Sequence, residues 1–166
     1  SGETTFSDLD WKLTEVETEL RTQIERAQEN IPQVSHLSFH MGGTGADKRI
    51  EELYEALARE YGLQVDISNF EPFRGFGADS GTLSAAEKTE RLAANLATLA
   101  PGKWIFVEHP AYDTPEMQAI GHAGYYHVAS DRHGVTAAWT DEKIKALIDQ
   151  RGIRLVSYAD VKAATV

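Results

Sequence analysis

Six histidines and no cysteine set the range of chemistry open to this chain. Without thiols there are no disulfides, no thiolate zinc sites and no cysteine nucleophile. Any metal has to be held by His, Asp or Glu. Polar chemistry concentrates in residues 36–45 and 108–113, and each stretch lies where a predicted strand gives way to a loop. In parallel α/β folds that C-terminal edge carries the active site. His40 and His109 end two different predicted strands, so their side chains are expected to converge over one pocket. His40 reads as a metal ligand. His109 reads as a catalytic residue, in preference to a strand-end histidine capped by Pro110.

The other histidines read differently. His36 and His40 are four apart and can face the same way in a strand, yet His36 is expected to be a hydrogen-bonded interior group. His122, His127, Asp131, Arg132 and His133 form a third polar group in what reads as a loop before the last helix, and the three histidines read as ordinary loop residues before site-lining ones. Phe70, Phe73 and Phe76 are read as core or loop anchors before a substrate platform, and Trp139 carries the same two readings. No Gly-x-Ser-x-Gly elbow, phosphate-binding loop or His-Glu-x-x-His occurs, so serine-hydrolase and nucleotide-binding readings have no support.

The elements that must position these residues follow from periodicity. Leu9, Leu13, Val16, Leu20, Ile24 and Ala27 recur at three- and four-residue steps and predict a helix over 9–29, capped by Asp8 or Asp10 and stopped before Pro32. Residues 33–40 read as a strand, 46–61 as a helix ended by Gly62, and 63–67 as a short strand. Residues 69–83 are the least regular. Ser84 with Glu87 forms a capping-box pattern for a helix to about Leu99. Residues 103–109 are nearly unbroken in apolar character, as a fully buried parallel strand would be. A long loop starts at Pro110. Thr140 is expected to cap a helix through Gln150, with Asp141 and Glu142 in its first turn, and 153–158 is the last strand. The repeated strand–helix order predicts an α/β fold: a parallel sheet with flanking helices, or part of a deformed barrel.

The 166 residues are the length of one domain, and 42% hydrophobic content is enough for one core. No apolar run is long enough to span a bilayer, and the first residues lack the basic and apolar regions of a signal peptide. A net charge of −10, from 26 acidic and 16 basic residues, disfavours nucleic acid and anionic membrane as partners. It leaves a homo-oligomer open. Lack of cysteine fits the cytoplasm or an export compartment; the cytoplasm is favoured.

Val34-Ser35-His36-Leu37-Ser38-Phe39-His40-Met41 resembles the Thr-His-Leu-Asp-Ser-His-Met segment of the YdjC/ChbG-like carbohydrate deacetylases. Leu57-Ala58-Arg59-Glu60-Tyr61-Gly62-Leu63, Val107-Glu108-His109-Pro110-Ala111-Tyr112-Asp113 and Arg151-Gly152-Ile153-Arg154-Leu155-Val156-Ser157-Tyr158 agree with that family in order and spacing. The resemblance implies a deformed (β/α) barrel that removes N-acetyl groups from amino sugars, such as chitin-derived oligosaccharides, with a bound divalent metal. It makes His40 a metal ligand, His109 the catalytic-site histidine of the His-Pro motif, and His36 a structural or second-layer position. Tyr112, Asp113 and Arg74 are assigned to substrate binding. The family implies magnesium, whereas imidazole ligands favour zinc on softness grounds.

Two family segments do not occur here: the Asp-Asp-Phe-Gly-type start, which gives a metal ligand and the general base, and a later His-Leu segment with a second metal histidine. The family's Asp between Leu and Ser is also missing, since Leu37 runs straight into Ser38. Residues 1–166 are therefore expected to be a single domain, an N-terminally incomplete deacetylase barrel. The leading expectation is a metal-dependent hydrolase acting on N-acetylated amino sugars. The alternatives are a non-catalytic carbohydrate-binding module, and an assembly module whose site another chain completes.

Overall fold

The computed structural model describes residues 10–40 and 47–164, which divide into two compact units. One comprises the described residues up to Asp66 together with those from Val156 onward; the other is Ile67–Leu155. Among the described residues the chain is mostly helical, with one small parallel sheet.

In the first unit, α1 (Leu13–Asn30) and α2 (Lys48–Glu60) build a small core of Ile24, Leu57 and Leu63, against which Leu20, Val34, Leu37, Leu53 and Tyr61 pack, and α7 (Tyr158–Ala163) belongs to the same unit. The amphipathic spacing read from the sequence produces α1 and α2. However, α1 starts later than expected, and it is not Asp10 that caps it. The Glu15 carboxylate accepts the Lys12 N–H at 3.3 Å, closing the first turn from within; Asp8 lies outside the described residues. Asp47 caps α2 by accepting the Arg49 N–H at 2.8 Å. Gly62 ends α2 at φ +64°, a left-handed conformation that costs a residue without Cβ little.

The predicted strand over 33–40 does not form a ladder among the described residues. Side chains take up its carbonyls instead. Tyr54 of α2 donates to the Leu37 carbonyl at 2.7 Å, and Lys162 of α7 donates to the Ser35 and Gly62 carbonyls. Predicted strands 63–67 and 153–158 are likewise not strands, and at its end the latter yields α7, opened by Ser157 and Asp160 in a reciprocal capping box.

In the second unit, β1 (Glu71–Pro72) and β2 (Trp104–Ile105) pair in parallel, Glu71 opposite Trp104 and Pro72 opposite Ile105. β1 falls inside the stretch read as irregular, and β2 is a short part of the strand predicted over 103–109. Helices α3 (Ala85–Thr98), α5 (Val128–Thr140) and α6 (Glu142–Gln150) build the larger core of Phe76, Leu92, Ala93, Leu96, Val135, Ala138, Ile144 and Ile148. Phe73, Phe106 and Trp139 pack onto it; the Phe106 and Trp139 rings lie 4.9 Å apart between centroids. Phe73 and Phe76 are thus core residues. The Ser84–Glu87 capping box forms as predicted, with the Ser84 N–H donating to Glu87 at 2.9 Å and the Glu87 N–H to the Ser84 hydroxyl at 3.3 Å.

The loop expected from Pro110 to Thr140 contains two helices, α4 (Pro115–Gln118) and α5. Thr140 is therefore the last residue of α5 and not the cap of α6. Its hydroxyl donates back to the Thr136 carbonyl at 2.8 Å, while Asp141 caps α6 by accepting the Lys143 N–H at 2.8 Å.

Candidate functional site

The chain leaving β1 reaches a 3₁₀ turn at Ser80–Thr82 and then the start of α3; the chain leaving β2 reaches Asp113. These segments and the first two turns of α5 enclose a cleft of about 640 Å³ in the second unit. It is therefore bounded by loops that follow the C-terminal ends of parallel strands, where such folds hold ligands.

The cleft wall rests on a buried ion pair. Lys88, on α3, is 1% exposed, and its ammonium pairs with Asp131 Oδ1 on α5, where that side chain is 15% exposed. Tyr125 donates its hydroxyl to Asp131 Oδ2. The Lys88 ammonium also lies 5.2 Å from the centre of the Phe76 ring, a cation–π contact that compensates part of its lost hydration. Burial, followed by the hydrogen bond to Asp131, pushes the Tyr125 hydroxyl above the usual tyrosine range. Lys88 can lie flat between α3 and α5 because position 134 is glycine: a Cβ there would stand 2.8 Å from Lys88 Cδ.

Beside Asp131 the cleft presents His127, Ser130 and His133 from α5, Ser84 and Glu87 from α3, and Asp113 from the loop after β2. His133 Nδ1 and Arg132 Nε are buried with no hydrogen-bond partner. Asp113 also accepts from Gln118 at 2.7 Å. Imidazoles, carboxylates and hydroxyls at this spacing can bind a polar ligand and exchange protons with it.

Of the residues singled out from the sequence, Asp113 lines this cleft. His109 and Tyr112 are exposed in the same unit, Tyr112 at 68%, and neither is among the lining residues; Arg74 is exposed. His40 belongs to the first unit, where it is exposed; the neighbouring residues 41–45 of its motif lie outside the described residues. His36, in the same unit, is half-buried. Ser35 Oγ lies 3.1 Å from its Nδ1, and its ring stacks on Tyr158 at 4.0 Å between centroids. Burial lowers its pKa below the ordinary histidine value.

His127, Asp131 and His133, read from the sequence as loop residues, line the cleft from a helix. The signal that could have placed them was the spacing of His127 and Asp131, the N-cap and a first-turn acid of α5. Gly134 and the β-branched Val128, Val135 and Thr136 obscured it.

No three His, Asp or Glu among the described residues are grouped so as to hold a metal ion. An open catalytic site normally needs three protein ligands. The described residues alone therefore do not fit a resident divalent metal.

The described residues are mostly helical with one two-stranded parallel sheet, and the second unit carries a polar cleft bounded by loops that follow those strands. The chain belongs to the YdjC-like family, a family related to carbohydrate deacetylases: the family model for YdjC-like protein matches residues 2–150. No curated protein matches the chain. Among the described residues no helix is long and apolar enough to cross a membrane.

Proposed function

We propose that this chain belongs to a hydrolase that removes N-acetyl groups from amino sugars or chito-oligosaccharides, built on a deformed (β/α) barrel. The observation that carries this reading is the match to a deacetylase-related family over residues 2–150. The cleft supports it, because Asp113 of the His-Pro-Ala-Tyr-Asp segment lies on its wall among imidazoles and hydroxyls. Hydrolysis of an acetamide requires water to attack the carbonyl carbon and the departing amine nitrogen to receive a proton. His109 is the group proposed to deliver that proton, and Asp113 to hold the sugar. Tyr112, exposed beside them, offers a ring face to a sugar. Arg74 is kept as a further substrate contact.

A divalent metal, magnesium or zinc, belongs to this proposal with His40 as one ligand, and no step is assigned to it here. The protein is tested by incubating it with N,N′-diacetylchitobiose in the presence of magnesium or zinc and measuring released acetate and the new amine. Stoichiometric release of both supports the reading. Unchanged substrate in the presence of either metal counts against it. Of the aromatic residues in loop 70–76, Phe76 is in the core and Phe73 packs against it.

A further inference from the structure

The walls of the second unit's cleft carry hydrogen-bond donors and acceptors in near balance. α5 opens at His127 without a side chain capping its first N–H groups, and His127 and His133 line the same cleft. Asp113, Asp131 and the hydroxyls of Ser84 and Ser130 supply acceptors. Three carboxylates, counting Glu87, oppose an anion, and the positive end of α5 opposes a cation. A hydroxyl both donates and accepts. A neutral ring bearing neighbouring hydroxyls therefore satisfies both sets at once, and about 640 Å³ is within the range that holds a small ligand.

Asp131 is the best anchored of these groups. Lys88 holds one oxygen and Tyr125 the other, leaving a free lone pair on each for a ligand hydroxyl. Lys88 is sealed at 1% exposure and cannot reach the ligand itself. The geometry points to this cleft as a saccharide-binding site in which Asp131, Asp113, His127 and His133 contact the ligand, with Lys88 and Tyr125 as positioning residues behind Asp131. The choice of a sugar ring rests on the deacetylase reading; the residues are additional to it.

The test follows the ring proton signals of His127 and His133 by nuclear magnetic resonance while the full chain is titrated with N,N′-diacetylchitobiose, cellobiose or inorganic phosphate. Both disaccharides are expected to move both rings along one saturable curve, and phosphate to leave them unmoved. Asp113→Asn and His127→Gln, at exposed cleft positions, are each expected to weaken binding about tenfold, close to 1.4 kcal/mol. Tyr125→Phe is expected to weaken it severalfold while the slope of its urea unfolding curve stays that of the unsubstituted protein. Saturation by phosphate, or rings unmoved by either disaccharide, would overturn the site. Acetate release with both rings unmoved would overturn it and leave the deacetylase reading standing. Ring shifts with both disaccharides and no acetate release would support the site and remove that reading.

Discussion

Gly134 lies against the aliphatic stem of Lys88: a Cβ at 134 would stand 2.8 Å from Lys88 Cδ and 3.1 Å from Cε. The stem cannot swing aside while its ammonium holds Asp131. Gly134→Ala should gain about 1 kcal/mol of helix propensity and lose about 1–3 kcal/mol to overpacking, a net destabilisation. In a Lys88→Ala background the obstruction is gone, so the same substitution should become stabilising. Urea unfolding of the four proteins of this cycle checks it; additive effects would show that Gly134 and Lys88 are not coupled.

Removing one partner of the buried pair should cost far more than trimming its hydrogen bond. Lys88→Met leaves the Asp131 carboxylate beside apolar surface without its cation, a loss of about 3–5 kcal/mol. Tyr125→Phe removes one neutral donor and should cost about 1 kcal/mol. Denaturant midpoints with unchanged slopes would give both values. Equal costs would mean that solvent screens the Lys88–Asp131 contact.

Helices whose apolar faces are built from large residues were legible. Leu20 and Ile24 of α1, Leu53 and Leu57 of α2, and Leu92 and Leu96 of α3 mark their faces at helical spacing, and Ser84–Glu87 fixes where α3 starts. α5 was not legible, because its buried face is Val128, Ala129, Gly134, Val135 and Ala138. Small residues let α3 approach closely but give a weak periodic signal, and a mid-helix glycine argues locally for a loop. The misplacement of α5 hid most of the cleft, since His127, Asp131 and His133 all sit on it. α7 carried a readable mark, Ser157 three residues before Asp160, that the apolar run 153–158 overshadowed.

Strands were over-read for a different reason. An apolar run specifies a segment suited to a sheet, but a ladder exists only where a second backbone offers its N–H and C=O groups. At 33–40 those partners are side chains, Tyr54 and Lys162. The exposure of Val107 at 71% and Leu155 at 65% marks the same mismatch between apolar sequence and local burial.

His36 makes the stability of the first unit depend on pH. Its folded-state pKa lies below the ordinary histidine value because burial disfavours the imidazolium. The folded state therefore binds fewer protons than the unfolded state as pH falls through the histidine range. The stabilisation is fully present above the ordinary value and is lost as pH falls through the folded-state value. His36→Phe, which keeps a ring to stack on Tyr158, should flatten this part of the curve. Thermal midpoints of both proteins at mildly alkaline and mildly acidic pH decide it; an identical fall in the variant would assign the dependence to other groups.

Metal affinity provides a test of the ligand set. With no three-ligand group among the described residues, this 166-residue chain should bind magnesium or zinc weakly. Calorimetric titration is expected to give a shallow curve without a defined stoichiometry. A sharp one-to-one transition would mean that His40 has partners outside the described residues, and His40→Ala should then abolish it.

His109 is exposed at the start of the loop that leads to Asp113, as a group that meets substrate from solvent would be. If it protonates the departing amine, His109→Ala should lower kcat for diacetylchitobiose by about 10²–10⁴-fold, the range for loss of a general acid. KM should change little, because the proton is delivered only as the C–N bond breaks. Asp113→Asn should act the other way, raising KM more than it lowers kcat, since it is proposed to hold the sugar. Full activity in His109→Ala would remove His109 from the chemistry and leave the imidazoles of the cleft, His127 and His133, as the next groups to substitute.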